Sequence, residues 1–225
     1  MINPLFTIFE SLFARYGELN WWPAKTPYEV IVGAILTQNT AWGNVEKAIA
    51  NFGGNLTPET VMNVDSDELM ELIRPSGFFN QKAAYLKAVT AWFAKYGFDT
   101  RRVRGEPFSK VRSELLSTKG VGRETADSIL LYAFGFPTFV VDAYTMRLCA
   151  RYPIDAGKSY DDVKSYFEKH LRSENRQCLT AIHDETELYN NCHALIVING
   201  KEHCRKKPAC AGCPLERQCV KCNIL

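Results

Sequence analysis

The chain has 225 residues, 46% of them hydrophobic, with eight cysteines and a formal net charge of +2. That suits one large or two modest globular domains, and no apolar run reaches the ~20 residues that a membrane span requires. The amino terminus, MINPLFTIFESLF, has no basic segment ahead of its apolar residues, so the expected location is cytoplasmic, beside a bacterial or archaeal nucleoid; so weak a charge does not by itself announce a nucleic-acid partner.

In chain order, NWWPAKTP places Trp21, Trp22 and Pro23 together ahead of the first long helical pattern. PYEVIVGAILTQNT then spaces Val30, Ile31, Ala34 and Ile35 at three- and four-residue intervals, and Trp42 follows shortly after Gln38. DELMELIRPSGF repeats the helical spacing and ends at Pro75 and Gly77, and QKAAYLKAVTAWFAKYG continues it. RRVRGEPFSKVR gathers Arg101, Arg102, Arg104, Lys110 and Arg112, which reads first as a solvated charged face. A second basic group, Lys201, Arg205, Lys206 and Lys207, lies near the carboxyl end. Further helical patterns are VRSELLST, ETADSILLYAFG, VDAYTMRLCARY, YDDVKSYFEKHL and LYNNCHALIVING. Strand alternation, internal repeats and low-complexity linkers are missing, so the fold class is all-α, with about ten helices joined by short loops.

Residues 119–127, KGVGRETAD, carry the first chemical signal. Glycine permits positive φ and close backbone approach, and a helix amino terminus presents unpaired N–H groups, so the loop reads as an anion site suited to a phosphate, or as a plain turn between helices. Downstream, FVVDAYTMR delivers Asp142 to another helix start, where a carboxylate caps the helix or faces a cleft.

The carboxyl end gathers Cys204, Cys210, Cys213, Cys219 and Cys222. A metal centre explains them better than disulfides, which suit small secreted scaffolds. Cys210, Cys213, Cys219 and Cys222 form a CxxC-x5-CxxC array suited to zinc; Cys204, Cys210, Cys213 and Cys219 form C-x5-C-x2-C-x5-C, suited to an iron-sulfur cluster. Cys149, Cys178 and Cys192 sit in helical patterns and read as buried small apolar residues.

Four motifs in this order resemble the helix-hairpin-helix DNA glycosylase superfamily, in its endonuclease III branch. LSTKGVGRETADSIL resembles that family's hairpin, VVDAYTMRL its catalytic-aspartate segment, and HALIVINGKEHC with the following cysteines its helix leading into a 4Fe-4S cluster. PYEVIVGAILTQNT and IRPSGFFNQKAAYL resemble its amino-terminal helices, so the likeness spans nearly the whole chain. It implies a barrel-like domain over residues 24–136 bearing the hairpin, and a second helical domain of residues 1–23 plus 137–225 bearing Asp142 and the cysteines. The first cysteine interval has five residues where the family typically has six. The second departure is Glu124, which stands where bifunctional members carry an imine-forming lysine.

The resemblance therefore implies a monofunctional DNA N-glycosylase without lyase activity. LNWWP, LTQNTAW and RPSGFFNQKA further resemble the relatives that excise 3-methyladenine. It implies Asp142 as the catalytic carboxylate, Trp21, Trp22, Trp42 and Glu124 around the extruded base, and Gln38 as the residue that fills the duplex. It implies DNA contacts at Lys119, Gly120, Val121, Gly122, Arg123 and Thr125, with a monovalent cation at the hairpin, and a cluster on Cys204, Cys210, Cys213 and Cys219. The expected partner is double-stranded DNA containing damaged bases, bound by a monomer, with no membrane. Indole faces suit the cationic ring of an alkylated purine. Alternatives are a uracil, thymine or adenine mismatch glycosylase, a bifunctional glycosylase/lyase, a non-catalytic DNA-binding or redox-sensing protein, and a zinc-stabilised interaction protein.

Overall fold

The structure is a computed structural model that describes residues 4–19, 21–172 and 184–220. Cys178 and Cys222 lie outside the described residues. Within them the chain is all-helical, with twelve α-helices and no strand. Two of the twelve, Pro58–Asn63 and Thr100–Arg104, are too short for a 3.6-residue periodicity to reveal. No described helix is long and apolar enough to cross a membrane.

The chain divides into two compact units, one of Met1–Trp21 with Pro137–Leu225 and one of Trp22–Phe136. The first contains α1 (Pro4–Tyr16), α10 (Ala143–Arg151), α11 (Tyr160–Arg172) and α12 (Glu185–Glu202); the second contains α2 (Pro27–Leu36) to α9 (Arg123–Ser128).

In the Trp22–Phe136 unit, Thr26 starts α2 by accepting from Glu29 N, with Pro27 in the first turn. Ile31, Val32, Ile35 and Leu36 are fully buried, and α6 (Phe79–Ala94) and α9 pack against this helix. Lys82 of α6 is also buried, its Nζ donating to Leu36 O at 2.8 Å and Ser76 O at 2.7 Å. Those carbonyls lie where the intrahelical bonds of α2 and of the 3₁₀ turn Arg74–Ser76 run out, so one ammonium satisfies both. Burial lowers its pKa to about 8.

The basic stretch of residues 101–112 is not a free strip. Arg101 pairs with Asp99, Lys110 with Glu106, Arg104 donates to Phe134 O, and Arg112 grips the fully buried Asp127 with bonds of 2.7 and 3.1 Å. The last pair ties α8 (Phe108–Ser117) to α9.

In the other unit, α12 packs against α1 and α10, so closely that a Cβ on Gly200 would lie 2.3 Å from Tyr144 Cδ1. Residues 139–141 are buried, Phe139 stacking on Phe167 with ring centroids 4.5 Å apart. Glu168 accepts from Phe139 N at 2.9 Å and Lys164 donates to Thr138 Oγ1 at 2.6 Å. This segment fixes where Asp142 begins α10.

Candidate functional site

The hairpin is α8, the loop of residues 118–122, and α9, which runs on into a π-helical turn, Ile129–Ala133. Val121 plugs the loop into the core at 6% exposure, and its N–H donates to Thr118 O at 3.1 Å. The side chain and amide of Val121 are thus both occupied within the loop. Thr125 is likewise buried, and its Oγ1 accepts from Gln38. Gln38 Nε2 donates to Gly120 O at 2.9 Å and to Thr125 Oγ1 at 3.1 Å, so it ties the end of α2 to the hairpin.

The two glycines differ. Gly120 has φ +83°, and a Cβ there would lie 2.1 Å from Tyr85 Cγ; the fold itself excludes a side chain. Gly122 has φ −87°, and its Cβ would meet nothing within 4 Å. Among the described residues, neither Gly120 N nor Gly122 N meets a hydrogen-bond acceptor. Lys119 and Arg123 flank the pair and are exposed, as is Glu124 in the first turn of α9. This is an outward face of backbone amides and cationic side chains, able to hold a phosphate.

Trp22 and Trp42 meet edge to face, ring centroids 5.7 Å apart, with Tyr132 4.9 Å from Trp22. Gly33 leaves room beside them: a Cβ there would lie 3.3 Å from Trp22 Cζ2 and 3.5 Å from Trp42 Cη2. Trp42 Nε1 donates to Glu46 at 3.0 Å, whereas the buried Trp22 Nε1 has no acceptor among the described residues. Trp21 belongs to the other unit, where the Lys201 ammonium lies 4.9 Å from its ring centroid. One residue that the sequence reading missed is Phe78, 64% exposed at φ 47° ahead of α6. Its signal, a bulky aromatic straight after Gly77, shows only once burial is known.

Asp142 caps α10. Its Oδ1 accepts from Tyr144 N at 3.0 Å, Thr145 N at 2.8 Å and Thr145 Oγ1 at 3.0 Å, and its Oδ2 lies 3.7 Å from His193 Nε2. Burial works against ionisation, but His193 and Thr145 outweigh it and hold the carboxyl below its usual pKa. Capping and chemistry are compatible here, since the helix engages one oxygen and leaves the other.

The loop after α12 carries Cys204, Cys210, Cys213 and Cys219, none in a disulfide and all half-buried. α10 clamps it: Arg147 Nε donates to Cys204 O at 2.7 Å, and Arg151 donates to Cys204 Sγ at 3.2 Å and Arg205 O at 2.7 Å. Cys219 Sγ meets Arg151 O at 3.2 Å, and Cys213 Sγ meets Asn199 Oδ1 at 3.6 Å. Burial pushes the Cys213 thiol up, and its neighbours Cys204 and Cys210 add to this. Among the described residues, no three His, Cys, Asp or Glu side chains are arranged to hold one metal ion. Cys149 and Cys192 stand apart, their thiols pushed up by burial, the former to about 11.

Residues 32–173 match the profile of the HhH-GPD superfamily base excision DNA repair protein. A Methanocaldococcus jannaschii protein, provisionally named a DNA repair glycosylase, is 46% identical over 221 residues, covering 96% of each chain. The crystal structure of H. pylori 3-methyladenine DNA glycosylase bound to 1,N6-ethenoadenine superposes with a TM-score of 0.73 at 28% identity, covering 88% of this chain and 97% of that one. A trapped endonuclease III–DNA covalent intermediate superposes with a TM-score of 0.76 at 23% identity, covering 100% and 99%, and shares the fold. The chain is a member of the HhH-GPD superfamily of base excision DNA repair proteins, which makes it a DNA glycosylase by family.

Proposed function

We propose that this glycosylase is monofunctional and removes alkylated purines such as 3-methyladenine from double-stranded DNA, acting as a monomer. The observation that carries the substrate class is the indole pair Trp22 and Trp42, which lies close against α2 at the bare Gly33. Electron-rich indole faces favour a cationic N-alkylated purine over a neutral base. The 28% identity to the H. pylori 3-methyladenine enzyme supports the same choice.

Gly120 and Gly122 amides, with Lys119 and Arg123, hold a phosphate of the damaged strand. Thr118 O and Gly120 O each accept one internal hydrogen bond, and each keeps a second lone pair with which to take a monovalent cation. Gln38 would have to break two hydrogen bonds to enter a duplex, whereas Phe78 is already exposed; we assign Phe78 to that entry beside Gln38.

The bond between sugar C1′ and the base nitrogen breaks, and its electron pair leaves with the base. A cationic purine becomes neutral in that step, so the leaving group needs no proton. The ionised Asp142 stabilises the sugar cation, water adds to C1′, and the water's proton is lost to solvent. Glu124 cannot form an imine, so the backbone stays uncut.

Cys204, Cys210, Cys213 and Cys219 fit a 4Fe-4S cluster: they are four half-buried cysteines outside any disulfide, with an arginine donating to one sulfur. The C-x5-C-x2-C-x5-C order of these four cysteines is the support for the cluster over a single zinc. When bound, the cluster supplies a rigid cross-link of the loop. The deciding experiment incubates purified protein with methylated duplex DNA and identifies the released bases. Release of 3-methyladenine with poor uracil release is expected; equal release of uracil would overturn the substrate class.

A further inference from the structure

The two oxygens of Asp142 have different surroundings. Oδ1 is saturated by three donors from its own helix start, while Oδ2 faces His193 Nε2 at 3.7 Å. That separation exceeds a hydrogen bond yet lies within ion-pair reach, and catalytic hydrogen bonds are often longer before substrate arrives. Both side chains are withdrawn from water, at 7% and 12% exposure. The imidazole stands edge-on to Phe139, with planes at 86° and centroids 6.4 Å apart, and Phe139 lies in the same segment that delivers Asp142. Carboxylate and imidazole are thus aligned by one packed segment.

Other ionisable groups on the elements around α12 are directed elsewhere. Lys164 and Glu168 of α11 pair with each other and with Thr138 and Phe139 N. Arg147 of α10 donates to Cys204 O and Ala143 O, Tyr16 of α1 to Glu202, and Tyr189 of α12 to Glu168 O. The neighbouring Cys192 thiol is kept neutral by burial.

We infer that His193 is the positioning residue of Asp142, its Nε2–H holding Oδ2 so that the carboxylate stays ionised and turned toward the sugar. This rests on the reading of Asp142 as the carboxylate that stabilises the sugar cation. With its helix start alone, Asp142 is fixed through one oxygen and can swing about it; a donor from α12 fixes the second. Burial would otherwise favour the protonated acid, which cannot stabilise a cation.

The test uses the full-length, metal-loaded protein and methylated duplex DNA. His193→Phe is expected to slow single-turnover base release by about tenfold or more with DNA affinity unchanged, and to move the acid limb of the pH profile upward. His193→Gln, which restores an N–H donor of similar reach, is expected to recover most of that rate. A readout independent of activity is the 15N chemical shift of His193 Nε2 by NMR, which needs no substitution at 193: that resonance should move in Asp142→Asn. His193→Phe with native rate and an unmoved acid limb, or a His193 Nε2 resonance indifferent to Asp142→Asn, overturns the inference. Asp142→Asn releasing bases at the native rate overturns the role of Asp142 and the inference with it. Asp142→Asn inactive beside a fully native His193→Phe overturns the inference alone.

Discussion

Gly120 and Gly122 flank one valine and are glycines for different reasons. Gly120 is required from within, by a positive φ and by the Tyr85 ring; Gly120→Ala should cost about 2–3 kcal/mol in denaturant unfolding. Gly122 is extended and opens onto nothing, so Gly122→Val should leave stability within about 0.5 kcal/mol and weaken binding to damaged and undamaged DNA alike. Asp142→Asn keeps a capping side chain but loses the charge, so base release should fall by orders of magnitude while binding survives. The folded carboxyl has a lowered pKa. Its stabilisation is therefore fully present above the unfolded value of about 3.9 and is lost as pH falls through the folded value, so the native protein's melting advantage over Asp142→Asn should shrink below about pH 4. Native protein should yield no borohydride-trapped DNA adduct, whereas trapping that appears in Glu124→Lys would support the positional argument. The GxG spacing and the VD pair were legible in sequence because they are local. That Val121 and Thr125 point inward was not, since their burial depends on α2 and Tyr85's helix arriving from more than thirty residues away in the chain.

At the level of elements, the hairpin is held from behind by the Arg112–Asp127 pair and from the side by Gln38. Asp127 is fully buried, so Arg112→Met strands a charge and should destabilise the protein by about 3–5 kcal/mol, read by denaturant unfolding. A charge count along RRVRGEPFSKVR shows five cations and one glutamate but not the pairing, because Glu106 is inside the stretch while Asp99 and Asp127 lie outside it. The helical periodicity of α2 was readable, and its Pro27 and Thr26 start with it. The π-helical turn after α9 was not, because its residues are apolar all round and give no phase. Of the tryptophans, Trp22→Ala or Trp42→Ala should reduce excision far more than general DNA affinity, whereas Trp21 packs against Lys201 and its loss should act less on base choice.

At the level of the whole molecule, purified protein should be brown and contain about four irons per chain, and Cys222→Ser should leave the iron content unchanged. One zinc and no iron would sink the cluster assignment. The order of the four cysteines was plain in sequence, but the clamp on them was not: Arg147 and Arg151 sit more than fifty residues upstream, on the helix that Asp142 begins. That helix is nine residues long, about 13 Å from the carboxylate at its start to the arginine that grips Cys204. If the proposed cluster is what cross-links that loop, chain made without iron would keep the Asp142 helix but lose the rigidity of the surface its arginines grip. Counting repair capacity by protein quantity would then overstate it.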